Sequence, residues 1–345
     1  MKKADVINLI KYHSEGREAE FRDQAIAIAR GFDKMGDPQL SQYIIGLLSQ
    51  SDRFVPQNNS YGENLVPVSL DVGPLPLPAA ILNDLKGIIN AVKHNIGINK
   101  FLFVGSPGTG KTESAKQVAK LLNRNLLIVD FNNIVDSKLG QTAKNLTNLF
   151  KEINSLPFLK NYIILFDEID TIALDRINQN DIREMGRVTS TFLKSLDNLN
   201  SEVVLLATTN LFDSLDKALA RRFDAIIDFD RYSETELVEV AEVIVNDSLK
   251  QFKDVTRDVR LFRKIVKSTK KIPNPGDLRN IIRTSLAFSN PKDPNDYLKR
   301  LLKNMHNGKI LSMKQLSDLG FTVREIEILT GISKSSVSRE LNGEK

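Results

Sequence analysis

The sequence predicts an α/β fold: a three-layer core around a parallel sheet, with a helical region before it and helices after it. Three observations point there. An apolar run, Phe101-Leu-Phe-Val104, enters a glycine-rich turn and then a helix-prone segment, residues 113–123. A second run, Tyr162-Ile-Ile-Leu-Phe166, ends on Asp167-Glu168, and a third, Val203-Val-Leu-Leu-Ala207, ends on Thr208-Thr209-Asn210. Unbroken apolar runs of this length read as strands covered on both faces, and their spacing leaves room for a helix between each pair.

Residues 1–54 read as helices joined by short turns. Ala4–Tyr12 carries Val6, Ile7, Leu9 and Ile10; Glu18–Met35 carries Phe21, Ala25, Ile26, Ile28, Ala29 and Phe32 at helical spacing. Gly36-Asp37-Pro38 ends that helix, and proline in a first turn suits a new one running through Leu48. Residues 55–78, rich in Pro, Asn, Ser and Gly, read as a linker.

The core, residues 79–230, holds the chemistry. Gly105-Ser-Pro107-Gly108-Thr109-Gly110-Lys111-Thr112, followed by Glu113, has the glycine-rich spacing of a phosphate-binding loop in the strand–loop–helix setting it needs. Glycines let backbone N–H groups turn toward phosphates, and the helix N-terminus adds its positive end. Lys111 would reach the β- and γ-phosphates, and the Thr112 hydroxyl would bind Mg²⁺. The alternative is a chance glycine-rich turn. In open α/β sheets ligands sit at the carboxyl ends of strands. Asp167 would therefore help hold Mg²⁺, and Glu168 would act as general base on the attacking water; the competing reading is an exposed acidic turn. Asn210, at the third strand's tip, would orient that water. In Leu215-Asp-Lys-Ala-Leu-Ala-Arg221-Arg222-Phe-Asp224 the two arginines are either a solvated turn or a finger offered to a neighbour's nucleotide.

From Arg231, residues 231–300 read as an amphipathic helical region. Ser233-Glu-Thr-Glu236 is a capping box, followed by Leu237, Val240, Ala241 and Ile244 as a core stripe. Ser289-Asn-Pro-Lys-Asp-Pro294 marks its end. Residues 301–345 read as a helix capped by Thr322, a tight turn at Gly331, and a second helix capped by Ser333.

Taken together, the phosphate loop, Asp-Glu-Ile-Asp170, Ala-Thr-Thr-Asn210 and Ala-Leu-Ala-Arg-Arg-Phe-Asp224 resemble the AAA family of the AAA+ ATPases, over roughly residues 75–285. The resemblance implies a P-loop AAA core with an all-α lid, ATP and Mg²⁺ as ligands, and Asn210 as the first sensor. It implies Arg221 and Arg222 as the finger pair acting on the next subunit, hence a homo-oligomeric ring, usually a hexamer. Arg279, in Pro275-Gly-Asp-Leu-Arg279, stands where some branches place a second sensor; the alternative is a solvated first-turn residue. Two departures stand out. The finger loop is shorter than the family's common pattern, and Lys138, in Asp136-Ser-Lys138-Leu-Gly140, occupies the pore loop's usual aromatic position. A helical region ahead of such a core commonly serves as an adaptor; the alternative is an accessory cap on the ring. The segment Gly331-Ile-Ser-Lys-Ser-Ser-Val-Ser-Arg339 resembles the recognition helix of helix-turn-helix modules, which implies DNA contact through residues 316–341; the alternative is a hairpin contacting the ring or a partner.

Composition sets bounds. The chain has 345 residues, 41% hydrophobic and 26% charged, as expected for a globular protein of two or three modules. It has no cysteine, which removes disulfides, thiol catalysis and thiolate metal sites. His13, His94 and His306 are isolated, which argues against zinc. A net charge of +5 is too small for a polyanion-binding footprint by itself. No apolar run has membrane-spanning length, so a cytoplasmic protein is expected. Two activities compete on this basis: a ring-forming remodeller or unfoldase acting on a polypeptide client or with a protein partner such as a protease, and a DNA-associated ATPase switch in transposition, plasmid or defence functions.

Overall fold

The computed structural model describes residues 3–15, 17–48, 64–71, 73, 75–135, 140–170, 182–252 and 255–343. Two compact units divide the chain, Met1–Glu63 and Asn64–Lys345.

The first unit contains three helices, α1 (Lys3–Ser14), α2 (Glu18–Lys34) and α3 (Pro38–Leu48), with α2 packed on both others. Asp37 caps α3 by accepting from the Leu40 N–H at 3.1 Å, with Pro38 in the first turn. Ala25 and Ala29 are buried on α2, where small side chains let the helices approach.

The second unit opens on β1 (Leu65–Val68), in the segment whose composition reads as linker. β1 pairs antiparallel with β3 (Asn125–Val129), Leu65 opposite Val129. Pro67 is tolerated because β1 is an edge strand. The sheet is therefore mixed, with one antiparallel edge, and not wholly parallel. The other strands are β2 (Lys100–Val104), β4 (Tyr162–Phe166), β5 (Val204–Thr209) and β6 (Ala225–Asp228), in spatial order β1-β3-β4-β5-β2-β6, all parallel beyond β1. α4 (Ala79–His94) and α5 (Lys111–Leu122) cover one face, burying Ile81, Leu85, Ile88, Ala115 and Val118 against Phe101, Phe103, Ile163 and Leu165. On the other face, Phe150 of α6 (Gln141–Ser155) and Phe192 of α7 (Ile182–Asp197) surround Phe166, ring centroids 5.6 and 5.7 Å away. Alternate strand residues thus feed two cores, which is why these runs are apolar throughout.

After α8 (Lys217–Ala220) and β6 comes the lid: α9 (Glu234–Leu249), α10 (Val259–Lys267), α11 (Pro275–Ala287) and α12 (Asp296–Met305). The capping box at Ser233 and Glu236 is formed, and Leu237, Val240, Ala241 and Ile244 are buried as their spacing requires. The expected boundary at residue 300 falls inside α12, whose Tyr297, Leu298, Leu301, Leu302 and Met305 form one buried stripe. Beyond it lie α13 (Met313–Asp318), α14 (Val323–Thr330) and α15 (Lys334–Asn342). Thr322 and Ser333 cap α14 and α15, and Gly331 makes the turn between them. Leu316, Phe321, Ile326, Leu329 and Val337 join the lid's own core, so these helices and the lid share one hydrophobic interior. Lys264 of α10 ties to Glu325 of α14 at 2.6 Å and lies over the Phe321 ring. No helix among the described residues is long and apolar enough to cross a membrane.

Candidate active site

The phosphate-type loop lies between β2 and α5, at the carboxyl edge of the sheet. Gly105 shows why glycine is needed: its φ is +141°, and a Cβ there would stand 3.2 Å from Cβ of Phe229 and 3.3 Å from the Asp230 backbone. Asp230, just past β6, accepts the Ser106 N–H at 2.8 Å and anchors the start of the loop. Within the loop the Thr109 hydroxyl donates to the Ser106 carbonyl at 2.9 Å.

Lys111 is buried at the head of α5, and its ammonium donates to Gly105 O (2.6 Å), Ser106 O (2.9 Å) and Asn210 Oδ1 (2.8 Å). Burial pulls its pKa below the ordinary lysine value, opposed by the carboxylates of Asp230, Asp167, Asp170 and Glu168. Four carboxylates thus act on this ammonium.

The next residue, Thr112, donates its hydroxyl to Asp167 Oδ1 at 2.9 Å. The same carboxylate oxygen accepts from the Thr208 hydroxyl at 2.7 Å, and Thr208 in turn accepts the Glu168 N–H at 2.8 Å. Glu168 sits in the left-handed region at φ +55°, a conformation a non-glycine residue holds at a cost of about 1–2 kcal/mol. Such strain clusters at functional positions. The Asn210 amide joins the two halves: it accepts from Lys111, its Nδ2 reaches Glu168 Oε1 at 3.5 Å, and its N–H reaches Asp170 at 3.4 Å.

These side chains face a cavity of about 250 Å³. Pro107, Gly108, Gly110, Lys111, Thr112 and Glu113 line its floor, and Asp167, Glu168, Thr208 and Asn210 one wall. Leu75 and Pro76, Val240 and Ile244, and Pro275, Gly276 and Arg279 complete it. The Glu113 carboxylate is bonded to Lys116 at 2.7 Å. Of the sequence-predicted residues, Pro107, Gly108, Gly110, Lys111, Thr112, Glu113, Asp167, Glu168, Asn210 and Arg279 line this cavity, whereas Gly105 and Thr109 shape the loop behind it. The two arginines do not: Arg222 is forked onto Asp197 at the end of α7, 3.0 and 3.3 Å, and Arg221 is exposed; neither lines this cavity. The expected pore-loop position, Lys138, lies outside the described residues.

Five contributors were not legible as site residues: Thr208, Asp170, Asp230, Tyr232 and the Leu75-Pro76 stretch. Thr208 had a signal, a hydroxyl beside Asn210 at a strand tip. Asp170 had one too, closing the Asp-Glu-Ile-Asp stretch; the others are placed by chain segments remote in sequence.

Thr112 and Asp167 can hold a divalent cation together with a nucleotide's phosphates. No group of three or more His, Cys, Asp or Glu among the described residues can hold one unaided. This donor set suits Mg²⁺, which takes one or two protein oxygens and completes its shell with phosphates and water.

Residues 101–231 match the profile of the ATPase family associated with various cellular activities (AAA). An uncharacterized AAA family ATPase of Sinorhizobium fredii is 38% identical over 133 residues, 39% of this chain and 39% of that protein. The peroxisomal ATPase PEX6 of Candida glabrata is 36% identical over 132 residues, 36% of this chain and 13% of that one. A putative 26S proteasome regulatory subunit homolog of Methanocaldococcus jannaschii is 30% identical over 166 residues, 45% and 44% respectively. In each case the match spans under half of the relative's length. The crystal structure of the FIGL-1 AAA domain superposes with a TM-score of 0.51 at 18% identity, covering 75% of this chain and 91% of that one, a likeness of fold. Over residues 101–231 this chain is therefore similar to the ATPases of the AAA family.

Proposed function

We propose that this chain binds ATP with Mg²⁺ and hydrolyses it as a subunit of a ring that remodels a polypeptide client. The observation that carries the hydrolytic part is the convergence of Lys111, Thr112, Asp167, Glu168 and Asn210 on one cavity in front of the loop. Magnesium, held through Thr112 and Asp167, would draw charge from the transferring phosphate. Glu168 takes the proton of the attacking water as its oxygen bonds to the γ-phosphorus; the bond to the β,γ-bridging oxygen breaks, releasing ADP and phosphate. Asn210 holds the water and Glu168 in register. Arg221 and Arg222 act on the neighbouring subunit's phosphates, in keeping with their distance from the chain's own cavity. Arg279, which lines the cavity from the lid side, would contact the nucleotide.

The test is steady-state phosphate release by the full chain, with Glu168→Gln as the comparison. The variant should retain ATP binding and lose turnover by two orders of magnitude or more. Turnover equal to wild type would remove Glu168 as the base. A protein client is supported by the similarity to a putative 26S proteasome regulatory subunit homolog.

A second reading, a DNA-associated switch, draws on a different observation. α13 to α15 share the lid's core, so a ligand on α15, where Lys334, Ser335 and Arg339 are exposed, would act on the element that covers the nucleotide. Truncation near residue 309 cannot test this, because it would strip the lid of Leu316, Phe321, Ile326 and Leu329. The joint substitution Lys334→Glu and Arg339→Glu can. Duplex DNA that stimulates the wild-type ATPase at near-physiological salt, and not that variant, favours the switch; indifference in both favours the remodeller.

A further inference from the structure

Five consecutive carbonyls of the phosphate loop are all bonded, and by two sets of donors. Gly105 O and Ser106 O are taken by Lys111 from within the nucleotide machinery. The next three are taken from outside it. Asn274 Nδ2 donates to Pro107 O at 3.2 Å, the Gly276 N–H to Gly108 O at 2.8 Å, and the Tyr232 hydroxyl to Thr109 O at 3.0 Å. Asn274 and Gly276 flank Pro275 at the first turn of α11, and Tyr232 lies in the segment between β6 and α9. Tyr232 is partly buried there, and burial raises its phenol pKa well above the usual value, so it stays a donor at any physiological pH.

A trans peptide unit is planar, with C=O and N–H on opposite sides. Fixing the carbonyls of Pro107, Gly108 and Thr109 therefore aims the N–H groups of Gly108, Thr109 and Gly110 away from the three donors. We infer that Tyr232, Asn274 and Gly276 are positioning residues which hold the loop in its phosphate-binding form, so that phosphate affinity depends on the lid being docked. This rests on the nucleotide-binding reading above.

Gly276 carries the sharpest prediction. It lies in the first turn of a helix at a φ outside the left-handed range, where alanine is by propensity the better residue. Yet a Cβ would meet Gly108 Cα at 2.9 Å and Gly108 O at 3.1 Å, both backbone atoms that cannot rotate aside. Gly276→Ala should therefore preserve or strengthen α11 while pushing the lid off the loop. Tyr232→Phe removes one hydroxyl and leaves the ring in place.

The experiment is binding of Mg²⁺-ADP and of adenosine to the full chain and both variants by calorimetry, with melting temperatures of the unliganded proteins. Tyr232→Phe should weaken ADP about fivefold, the worth of one net hydrogen bond, and Gly276→Ala by tenfold or more. Adenosine, which has no phosphate, should bind Tyr232→Phe as it binds wild type and should lose less than ADP in Gly276→Ala, whose shifted lid also carries Val240, Ile244 and Arg279 of the cavity lining, while both variants melt as folded proteins. Unchanged ADP affinity in both variants overturns the inference and leaves the nucleotide site standing. Equal losses for ADP and adenosine also overturn it, since the lid would then act on the base. Wild-type protein that binds no ADP removes the nucleotide reading itself.

Discussion

Asn210→Ala separates affinity from turnover in a direction the geometry dictates. In the free protein the amide oxygen of Asn210 accepts a 2.8 Å bond from the Lys111 ammonium. Lys111 must give up that bond to reach a phosphate. A hydrogen bond to a charged group contributes about 1.5–3 kcal/mol net. Deleting its acceptor therefore removes a cost of nucleotide binding, partly refunded because Lys111 keeps Gly105 O and Ser106 O. ATP and ADP affinity should stay level or tighten by a few fold. The other arm runs opposite. Asn210 Nδ2 stands 3.5 Å from Glu168 Oε1, at the outer edge of a hydrogen bond, so the contact contributes little at rest and matters when a water is drawn between them. Loss of the group orienting base and water should lower kcat by about 10–100-fold, the range of one charge-assisted bond realised in the transition state. Phosphate-release kinetics give kcat, and calorimetric titration with ADP gives the affinity. A variant with near-wild-type kcat and tenfold weaker ADP binding would refute the reasoning, because Asn210 would then serve binding alone.

Four further outcomes are expected. Arg221→Ala should abolish turnover without weakening ATP binding, and mixing it with Glu168→Gln subunits should restore activity in a ratio-dependent way; no restoration at any ratio would argue against a shared site. Arg222→Ala should do the same and also lower the melting temperature slightly, since it breaks the half-exposed fork to Asp197, a pair worth at most about 1 kcal/mol. At the lid–tail junction, burial pushes the Glu325 carboxyl up, but Lys264 and the Thr322 amide and hydroxyl outweigh it and hold its pKa below the ordinary value. A lowered folded pKa contributes stability above the unfolded value and loses it as pH falls through the folded one. Melting temperatures measured from pH 6 down to pH 3 should therefore fall more steeply for wild type than for Glu325→Gln; parallel curves would remove this pair as a source of acid sensitivity. Phe166→Ala, emptying the space between Phe150, Phe192 and Phe131, should cost about 3–5 kcal/mol of unfolding free energy by denaturant titration.

How much of this was legible beforehand depends on the range of the interaction. The phosphate loop, the acid pair after Phe166 and Asn210 after Thr209 could be read directly, because a strand buried on both faces announces itself as an apolar run and its polar terminus falls at the ligand edge of the sheet. The caps at Ser233, Thr322 and Ser333 were readable because a side-chain cap closes within four residues. β1 was hidden by Pro67 and by its polar surroundings, since an edge strand four residues long has no periodicity to show. Residue 300 falls inside α12 because Pro291 and Pro294 punctuate only the turn ahead of that helix, which belongs to the same core.

The candidate reactive groups were legible in the sequence, because each sits within a residue or two of a strand end or helix start that local pattern specifies. Tertiary structure alone decided what holds that chemistry in place. Asp230 on Ser106, Tyr232 on Thr109 and Gly276 on Gly108 join residues more than a hundred positions apart. No local preference of a tyrosine or a glycine encodes which carbonyl it will meet once the sheet is covered and the lid is packed.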